Sequence, residues 1–169
     1  MDIDSDKPRA SESSSRGRSD AIFSLCEEET VELGRGLGQR LSGGELLLLE
    51  GDLGLGKTVF ARGVAIGLGV DPEDVSSPSF TLIQEYCGGR LPLFHVDLYR
   101  LDGADDLETI GLDEILTAGG VVMVEWGDRL PARYRKEATM VRLHDLGEGT
   151  RRIEITTTTR DGKPRRGDA

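Results

Sequence analysis

The clearest chemical signal in the sequence is a glycine-rich segment, Gly51-Asp52-Leu53-Gly54-Leu55-Gly56-Lys57-Thr58. It matches the spacing G-x-x-x-x-G-K-[ST] and lies between an apolar run and a segment with helical periodicity. Glycines let successive backbone N–H groups point inward at phosphate oxygens, and a helix that begins there adds the positive end of its dipole. We therefore predict that this segment binds ATP, with Lys57 neutralising the β and γ phosphates and the Thr58 hydroxyl coordinating Mg²⁺.

Magnesium in such a loop needs an acidic partner, which normally lies at the end of a neighbouring buried strand. Two carboxylates fit that position: Glu125 follows the apolar run 121–124, and Asp97 lies in a similarly apolar segment. We predict that both carboxylates have a functional role as acidic partners of this magnesium. Two simpler interpretations stay open, since Glu125 could end its strand in water and Asp97 could pair with Arg100 at the end of a hairpin.

Other polar and aromatic side chains are weaker candidates. Ser79 and Thr81 lie in a proline-fixed segment, 77–81, of the kind that can sense a γ-phosphate and order around Mg²⁺, although residue types alone indicate only a turn. A lone histidine in a strand, such as His95, is more often structural than catalytic. Trp126, the only tryptophan, is more often a core residue or a packing lid than a catalytic group.

Periodicity places strands and helices around the glycine loop. Apolar runs predict strands over 21–25, 45–50 and 121–124, two later and more exposed strands over 140–143 and 152–158, and a β-hairpin over 80–98. Helical spacing predicts helices over 27–41, 58–68 and 105–110, and a turn near 113–116. The S-x-x-E pattern from Ser24 to Glu27 predicts a capping box for the first helix, which Gly43-Gly44 would end.

Composition sets the fold class and the number of domains. With 169 residues, 37% hydrophobic content, 5% aromatics and 23 glycines, the chain can build one core rich in Leu, Val and Ile. We predict an α/β fold in which helices flank a central, mostly parallel sheet with antiparallel additions. The domain is expected to span 21–159, between a polar, disordered tail over 1–20 and a basic tail over 160–169.

Charge and cysteine usage limit the partners and the compartment. Residues 21–149 hold 23 acidic and 11 basic side chains, a formal charge of −12, so this body is a poor candidate for holding nucleic acid by itself. Cys26 and Cys87 have no spacing typical of a zinc site or a disulfide framework, and we expect reduced thiols. No apolar run approaches the length of about 20 residues that spans a bilayer, so we expect a cytoplasmic protein without a membrane partner.

Several motifs together make the chain resemble one family, the bacterial TsaE (YjeE) proteins, which are the ATPase component of tRNA threonylcarbamoyladenosine (t6A) biosynthesis. The matching stretches are Glu27-Glu28-Glu29-Thr30, the glycine loop from Gly51 to Thr58, Ser77-Pro78-Ser79-Phe80-Thr81-Leu82, His95-Val96-Asp97-Leu98-Tyr99-Arg100-Leu101 and Val124-Glu125-Trp126. The loop alone would indicate only a superfamily. The ordered set, with its H-x-D-x-Y-R and E-W elements, is specific.

The resemblance implies a compact P-loop NTPase-like fold whose Mg²⁺-dependent ATP turnover supports a complex of the TsaD and TsaB proteins, with tRNA contacted only indirectly. It implies that Asp97 and Glu125 order magnesium and water, and that Ser79 and Thr81 belong to a switch-like loop. It also places Glu27 and Thr30 where the first helix approaches the nucleotide, and Trp126 as a nearby packing or gating residue.

The chain departs from the family pattern at two positions, with Ser79 where threonine is usual and Leu55 where alanine is usual. Serine keeps the hydroxyl, and the loop uses only the backbone of residue 55. Two other functions stay open: a P-loop small-molecule kinase, for which 129–136 would be the lid, and a nucleotide-dependent assembly scaffold in which hydrolysis is incidental.

Overall fold

A computed structural model describes residues 20–78, 80–101 and 110–157. Several predictions therefore lie outside the described residues: nearly all of the N-terminal tail, Ser79, most of the helix over 105–110, and the basic C-terminal tail. Within these ranges, no helix is both long enough and apolar enough to cross a bilayer.

The described residues form seven strands and four α-helices. The strands are β1 (Asp20–Ser24), β2 (Leu46–Glu50), β3 (Ile83–Tyr86), β4 (Leu93–Asp97), β5 (Val121–Glu125), β6 (Thr139–Gly147) and β7 (Thr150–Thr157). The helices are α1 (Glu27–Gly38), α2 (Lys57–Gly67), α3 (Leu112–Thr117) and α4 (Ala132–Arg135), with one 3₁₀ turn at Gly127–Arg129.

All seven strands join one sheet in the order β1-β7-β6-β2-β5-β4-β3. The four central strands, β6, β2, β5 and β4, pair in parallel, whereas β3 at one edge and β7 and β1 at the other pair antiparallel. This arrangement confirms the predicted α/β fold with a mostly parallel centre and antiparallel additions. It also aligns the carboxyl ends of β2, β4 and β5 at one edge, where ligands bind in open α/β sheets.

The sheet divides the apolar core into two layers. On one face, alternate residues of β2, Leu47 and Leu49, pack with α2 through Phe60 and Val64. On the other face, a second cluster contains Leu46, Leu48, Phe94, Val96, Val122, Val124, Leu112 and Leu130. Because β2 is covered on both faces, its four consecutive leucines are all buried, as the apolar run predicted.

The structure corrects four local predictions. Residues 140–143 are buried except Arg142 and belong to the nine-residue β6, which pairs in parallel with β2 and is not an exposed late strand. The turn predicted near 113–116 is helix α3. Helix α1 ends at Gly38, five residues before Gly43.

The predicted capping box is also wrong. Cys26 is the N-cap residue of α1 and makes no side-chain cap hydrogen bond. The Ser24 hydroxyl instead lies 2.6 Å from the Thr30 hydroxyl and donates to the Cys26 carbonyl at 2.8 Å. Hydrogen bonds of two side-chain hydroxyls thus stabilise the connection between β1 and α1.

Helices α1 and α2 touch through glycines spaced four residues apart on each helix, Gly34 and Gly38 on α1 and Gly63 and Gly67 on α2. A Cβ added at Gly34 would overlap the Phe60 carbonyl oxygen, and one added at Gly63 would overlap the carbonyl oxygen of Val31. The two backbones therefore approach each other too closely for a methyl group. This contact fixes α1 against the helix that begins at the glycine loop.

We expect Gly34→Ala to lower the free energy of unfolding by about 1–3 kcal/mol, because the added methyl must push the two helices apart. Gly36→Ala on the same helix is the matched control. A Cβ there meets nothing within 4 Å, so this variant should gain about 0.5–1 kcal/mol from helix propensity alone. Urea unfolding of both variants measures the difference, and equal stability of the two would contradict the close helix contact.

Candidate functional site

The predicted phosphate loop connects the end of β2 directly to the start of α2. Gly51, Gly54 and Gly56 adopt φ values of 141°, 82° and 93°, which side chains rarely tolerate. A Cβ at Gly51 would also lie 2.7 Å from the Leu143 carbonyl oxygen. The glycines are therefore required by backbone geometry, and the loop leads into the positive end of α2.

Lys57, the first residue of α2, is only 4% exposed and turns back onto its own loop. Its Nζ donates to the carbonyl oxygens of Gly51 at 2.7 Å and Asp52 at 2.8 Å. Burial lowers the pKa of the Lys57 ammonium from its ordinary value, and the carboxylates of Glu125 and Asp97 counter part of that effect. The ammonium thus lies beside two acidic groups and is held by neutral oxygens.

Glu125 links the glycine loop to the sheet. The Thr58 hydroxyl donates to both carboxylate oxygens of Glu125, at 2.9 and 3.0 Å, and His95 Nε2 lies 2.8 Å from Glu125 Oε1. Where the Glu125 carboxylate accepts this bond, His95 Nε2 is the donor. Glu125 is 3% exposed, so the interpretation that its strand ends in water is wrong.

Asp97 lies beside Glu125 because β4 and β5 run parallel with these two residues in register. It is 3% exposed, and its Oδ1 accepts a hydrogen bond from the Tyr99 amide at 2.9 Å. The Arg100 guanidinium lies over the Phe80 ring, 4.5 Å from the ring centroid. The structure therefore brings Asp97 and Glu125 together at the carboxyl edge of the sheet, next to Lys57 and Thr58.

The Trp126 ring packs against the Lys57 ammonium. Its ring centroid lies 3.9 Å from Lys57 Nζ and 5.1 Å from the Tyr99 ring, and its backbone is left-handed, with φ at 62°. Arg129 supports this pair, since its Nη1 donates to the carbonyls of Leu98, Tyr99 and Leu101. A left-handed tryptophan is a strained conformation that only surrounding contacts maintain. The Trp126 ring thus lies directly beside the Lys57 ammonium.

These residues line a cavity of about 390 Å³. Its lining includes predicted site residues from both halves of the sequence, Glu27, Leu53, Gly54, Gly56, Lys57, Thr58, Asp97, Glu125 and Trp126. Gly51, Asp52 and Leu55 line a second hollow on the other side of the loop, together with Glu50 and residues 142–145 of β6.

Sequence reasoning missed four residues of the cavity lining: Val59, Tyr99, Arg100 and Arg151. The H-x-D-x-Y-R motif contained the signal for Tyr99 and Arg100. No local pattern indicates Arg151. It lies on β7, far along the chain from the glycine loop, and the sequence does not distinguish it from the adjacent Arg152. The sequence favours a structural His95, and the structure shows a fully buried side chain in contact with Glu125.

Two further predicted ligand-binding residues, Thr30 and Thr81, line neither of these two hollows. The Thr30 hydroxyl is buried against Ser24 and the Cys26 carbonyl. Thr81 is exposed. The assignment of either residue to the nucleotide stays a prediction, and Ser79 lies outside the described residues.

The donor set at the cavity fits a magnesium-bound triphosphate. Thr58, Asp97 and Glu125 offer the hydroxyl and carboxylate oxygens that Mg²⁺ prefers, and Lys57 offers a cation to phosphate. Across residues 20–78, 80–101 and 110–157, no three His, Cys, Asp or Glu side chains converge as a preformed metal cage. A metal ion here would therefore depend on phosphate oxygens for its remaining ligands, as Mg²⁺ commonly does.

A parallel strand, a glycine loop of this spacing and a helix that begins at Lys57 define an α/β protein of the P-loop NTPase-like class. The family model described as Threonylcarbamoyl adenosine biosynthesis protein TsaE matches residues 25–153. This chain belongs to the TsaE family.

Similar proteins support the same assignment. A protein from Nostoc named tRNA threonylcarbamoyladenosine biosynthesis protein TsaE is 43% identical over 139 residues, which cover 80% of this chain and 84% of the relative. A protein of the same name from Bacillus subtilis is 40% identical over 129 residues, which cover 76% and 80% of the two chains. The crystal structure of Bacillus subtilis YdiB superimposes with a TM-score of 0.69 at 33% identity, covering 88% of this chain and 92% of that one.

Proposed function

We propose that this chain binds and hydrolyses ATP with Mg²⁺ at the loop from Gly51 to Thr58, and that its turnover serves tRNA N6-threonylcarbamoyladenosine biosynthesis through the TsaD and TsaB proteins. The observation that carries the proposal is the contact of Thr58 with Glu125, whose carboxylate is held from behind by His95. This contact connects a glycine loop of the phosphate-binding type to a buried carboxylate, Glu125, at the end of the neighbouring strand β5.

The same contacts suggest which residues bind phosphate and which bind Mg²⁺. Lys57 can exchange the carbonyl oxygens of its own loop for phosphate oxygens, which carry more negative charge and accept stronger hydrogen bonds. Mg²⁺, when bound, would neutralise charge on the transferred phosphoryl group. Thr58, Asp97 and Glu125 are the residues that would hold it.

Glu125 is the best candidate for ordering an attacking water. Its carboxylate is fixed by bonds from Thr58 and His95, so little reorientation is needed when a water donates to it. His95 acts through Glu125 and is a positioning residue. Trp126 covers the Lys57 ammonium and limits solvent access to it.

The link to tRNA modification is supported by family membership and by the names of the relatives. The charge of the body agrees with it, because a formal −12 over residues 21–149 does not favour direct binding to RNA. We therefore propose that the tRNA is held by the partner proteins.

We expect Lys57→Ala to weaken Mg·ATP binding by at least about 100-fold, since it removes a charge-assisted contact to phosphate. Lys136→Ala is the matched control, because Lys136 is exposed and is not among the residues that line the cavity. Isothermal titration calorimetry of both variants measures the affinities. Normal affinity in the Lys57 variant would count decisively against the phosphate-binding assignment.

We expect Glu125→Gln to retain ATP binding but to lower turnover by about 100-fold, because the amide cannot act as an anionic acceptor for water. Glutamine is preferable to alanine here, since it leaves an acceptor opposite buried His95. Exposed Glu73 supplies the control, Glu73→Gln. Phosphate release and ATP affinity are measured side by side. If turnover is unchanged while binding persists, Glu125 does not order the attacking water.

The pathway assignment is tested by reconstitution with TsaD, TsaB, a threonylcarbamoyl donor and tRNA. We expect multiple rounds of tRNA modification only when this chain and ATP are present, and loss of that effect with Glu125→Gln. Modified adenosine per mole of complex is the measurement. If modification proceeds equally well without this chain, the proposed role in the pathway is wrong even if ATP hydrolysis is confirmed.

A further inference from the structure

Arg151 reaches the glycine loop from β7. In the sheet, β7 and the strands that carry Asp97 and Glu125 lie on different sides of β2. Its Nε donates to the Leu55 carbonyl at 2.9 Å, and its Nη1 donates to the Gly149 carbonyl at 3.2 Å. A Cβ built on Gly56 would lie 3.2 Å from Arg151 Nε. The guanidinium therefore lies across the last residues of the loop, immediately before α2.

The neighbouring Arg152 does not share this position beside the glycine loop. Arg152 is exposed and pairs with the carboxylate of Glu154 on its own strand. Arg151, on the alternate face of β7, lines the cavity. Its hydrogen bonds to described residues go to carbonyl oxygens, and none of the ion pairs in this part of the chain includes it. None of these contacts pairs its guanidinium with a carboxylate.

The strand order gives the cavity two different walls. Asp97 and Glu125 come from β4 and β5 on one side of β2, whereas Arg151 comes from β7 on the other side. A triphosphate at the loop would add several negative charges beside two buried carboxylates, more than Lys57 and one Mg²⁺ balance. Arg100 also lines the cavity, but its guanidinium lies over the Phe80 ring. Arg151 adds positive charge at the loop itself, with N–H groups suited to phosphate.

We propose that Arg151 is a second phosphate-binding cation of this site, which contacts the bound nucleotide from the β7 side of the loop. The inference rests on the proposed binding of ATP. Its hydrogen bond to Leu55 also holds the loop backbone, so the experiment must separate a contact with phosphate from support of the loop.

The test compares Arg151→Gln, Arg151→Lys and the control Arg152→Gln in the full chain, with Mg·ATP affinity measured by calorimetry at several KCl concentrations. We expect Arg151→Gln to raise the Kd by about tenfold or more, and Arg152→Gln to leave it unchanged. The plot of log Kd against log[KCl] should be shallower for Arg151→Gln than for the wild type, because one charge contact is lost. Arg151→Lys keeps the charge and should keep the wild-type slope.

The salt dependence excludes a merely structural role. If Arg151 only supports the loop, Arg151→Gln weakens binding with an unchanged salt slope, and that result overturns the proposal. An unchanged Kd also overturns it. If Arg151→Gln does not fold, Arg151→Met removes the same charge and is judged by the same criterion, so that an unchanged Kd or an unchanged salt slope overturns the proposal. These failures differ from failure of the proposed function, in which the wild-type chain itself would not bind Mg·ATP.

Discussion

The burial of two neighbouring carboxylates is the constraint on which the site depends. Parallel pairing of β4 and β5 sets Asp97 beside Glu125, each 3% exposed. Buried charges cost several kcal/mol unless they are bonded or paired. Thr58, His95 and the Tyr99 amide supply hydrogen bonds to these carboxylates, and Lys57 supplies the nearby positive charge. The loop, its helix and the strand ends are thereby held as one unit.

The helix contact extends this unit to the first helix of the chain. Glycines on α1 and α2 let the two backbones meet directly, and α1 begins at Glu27, which lines the same cavity. The position of Glu27 therefore depends on Gly34 and Gly38, about two and three turns further along α1. The hydroxyls of Ser24 and Thr30 fix the joint from β1. Glu27, at the start of α1, is in this way placed beside a glycine loop that begins more than twenty residues later.

The sequence predicted the loop, the buried strands that flank it and the two carboxylates, because each is encoded by a local pattern. Four leucines before a glycine motif indicate a strand buried on both faces, and an acid after an apolar run indicates a strand end. The central place of β6 was not encoded locally, since its parallel partner β2 is remote in sequence. Ser24 shows a related ambiguity, because a hydroxyl near a helix start can bond the backbone or another side chain.

The charges around the cavity explain how an acidic protein can present a site for an anion. The body carries a formal −12 over residues 21–149, which opposes polyanions at long range. Within the cavity, however, Lys57 donates to the Gly51 and Asp52 carbonyls of the glycine loop, Arg151 donates to the Leu55 carbonyl, and the loop amides add partial positive charge. Charge attraction falls off within about 8 Å at physiological salt, so such a site can attract a nucleotide phosphate while the surface at large repels RNA. Under the proposed function, this combination of short-range attraction and long-range repulsion favours a small phosphorylated ligand over a nucleic acid.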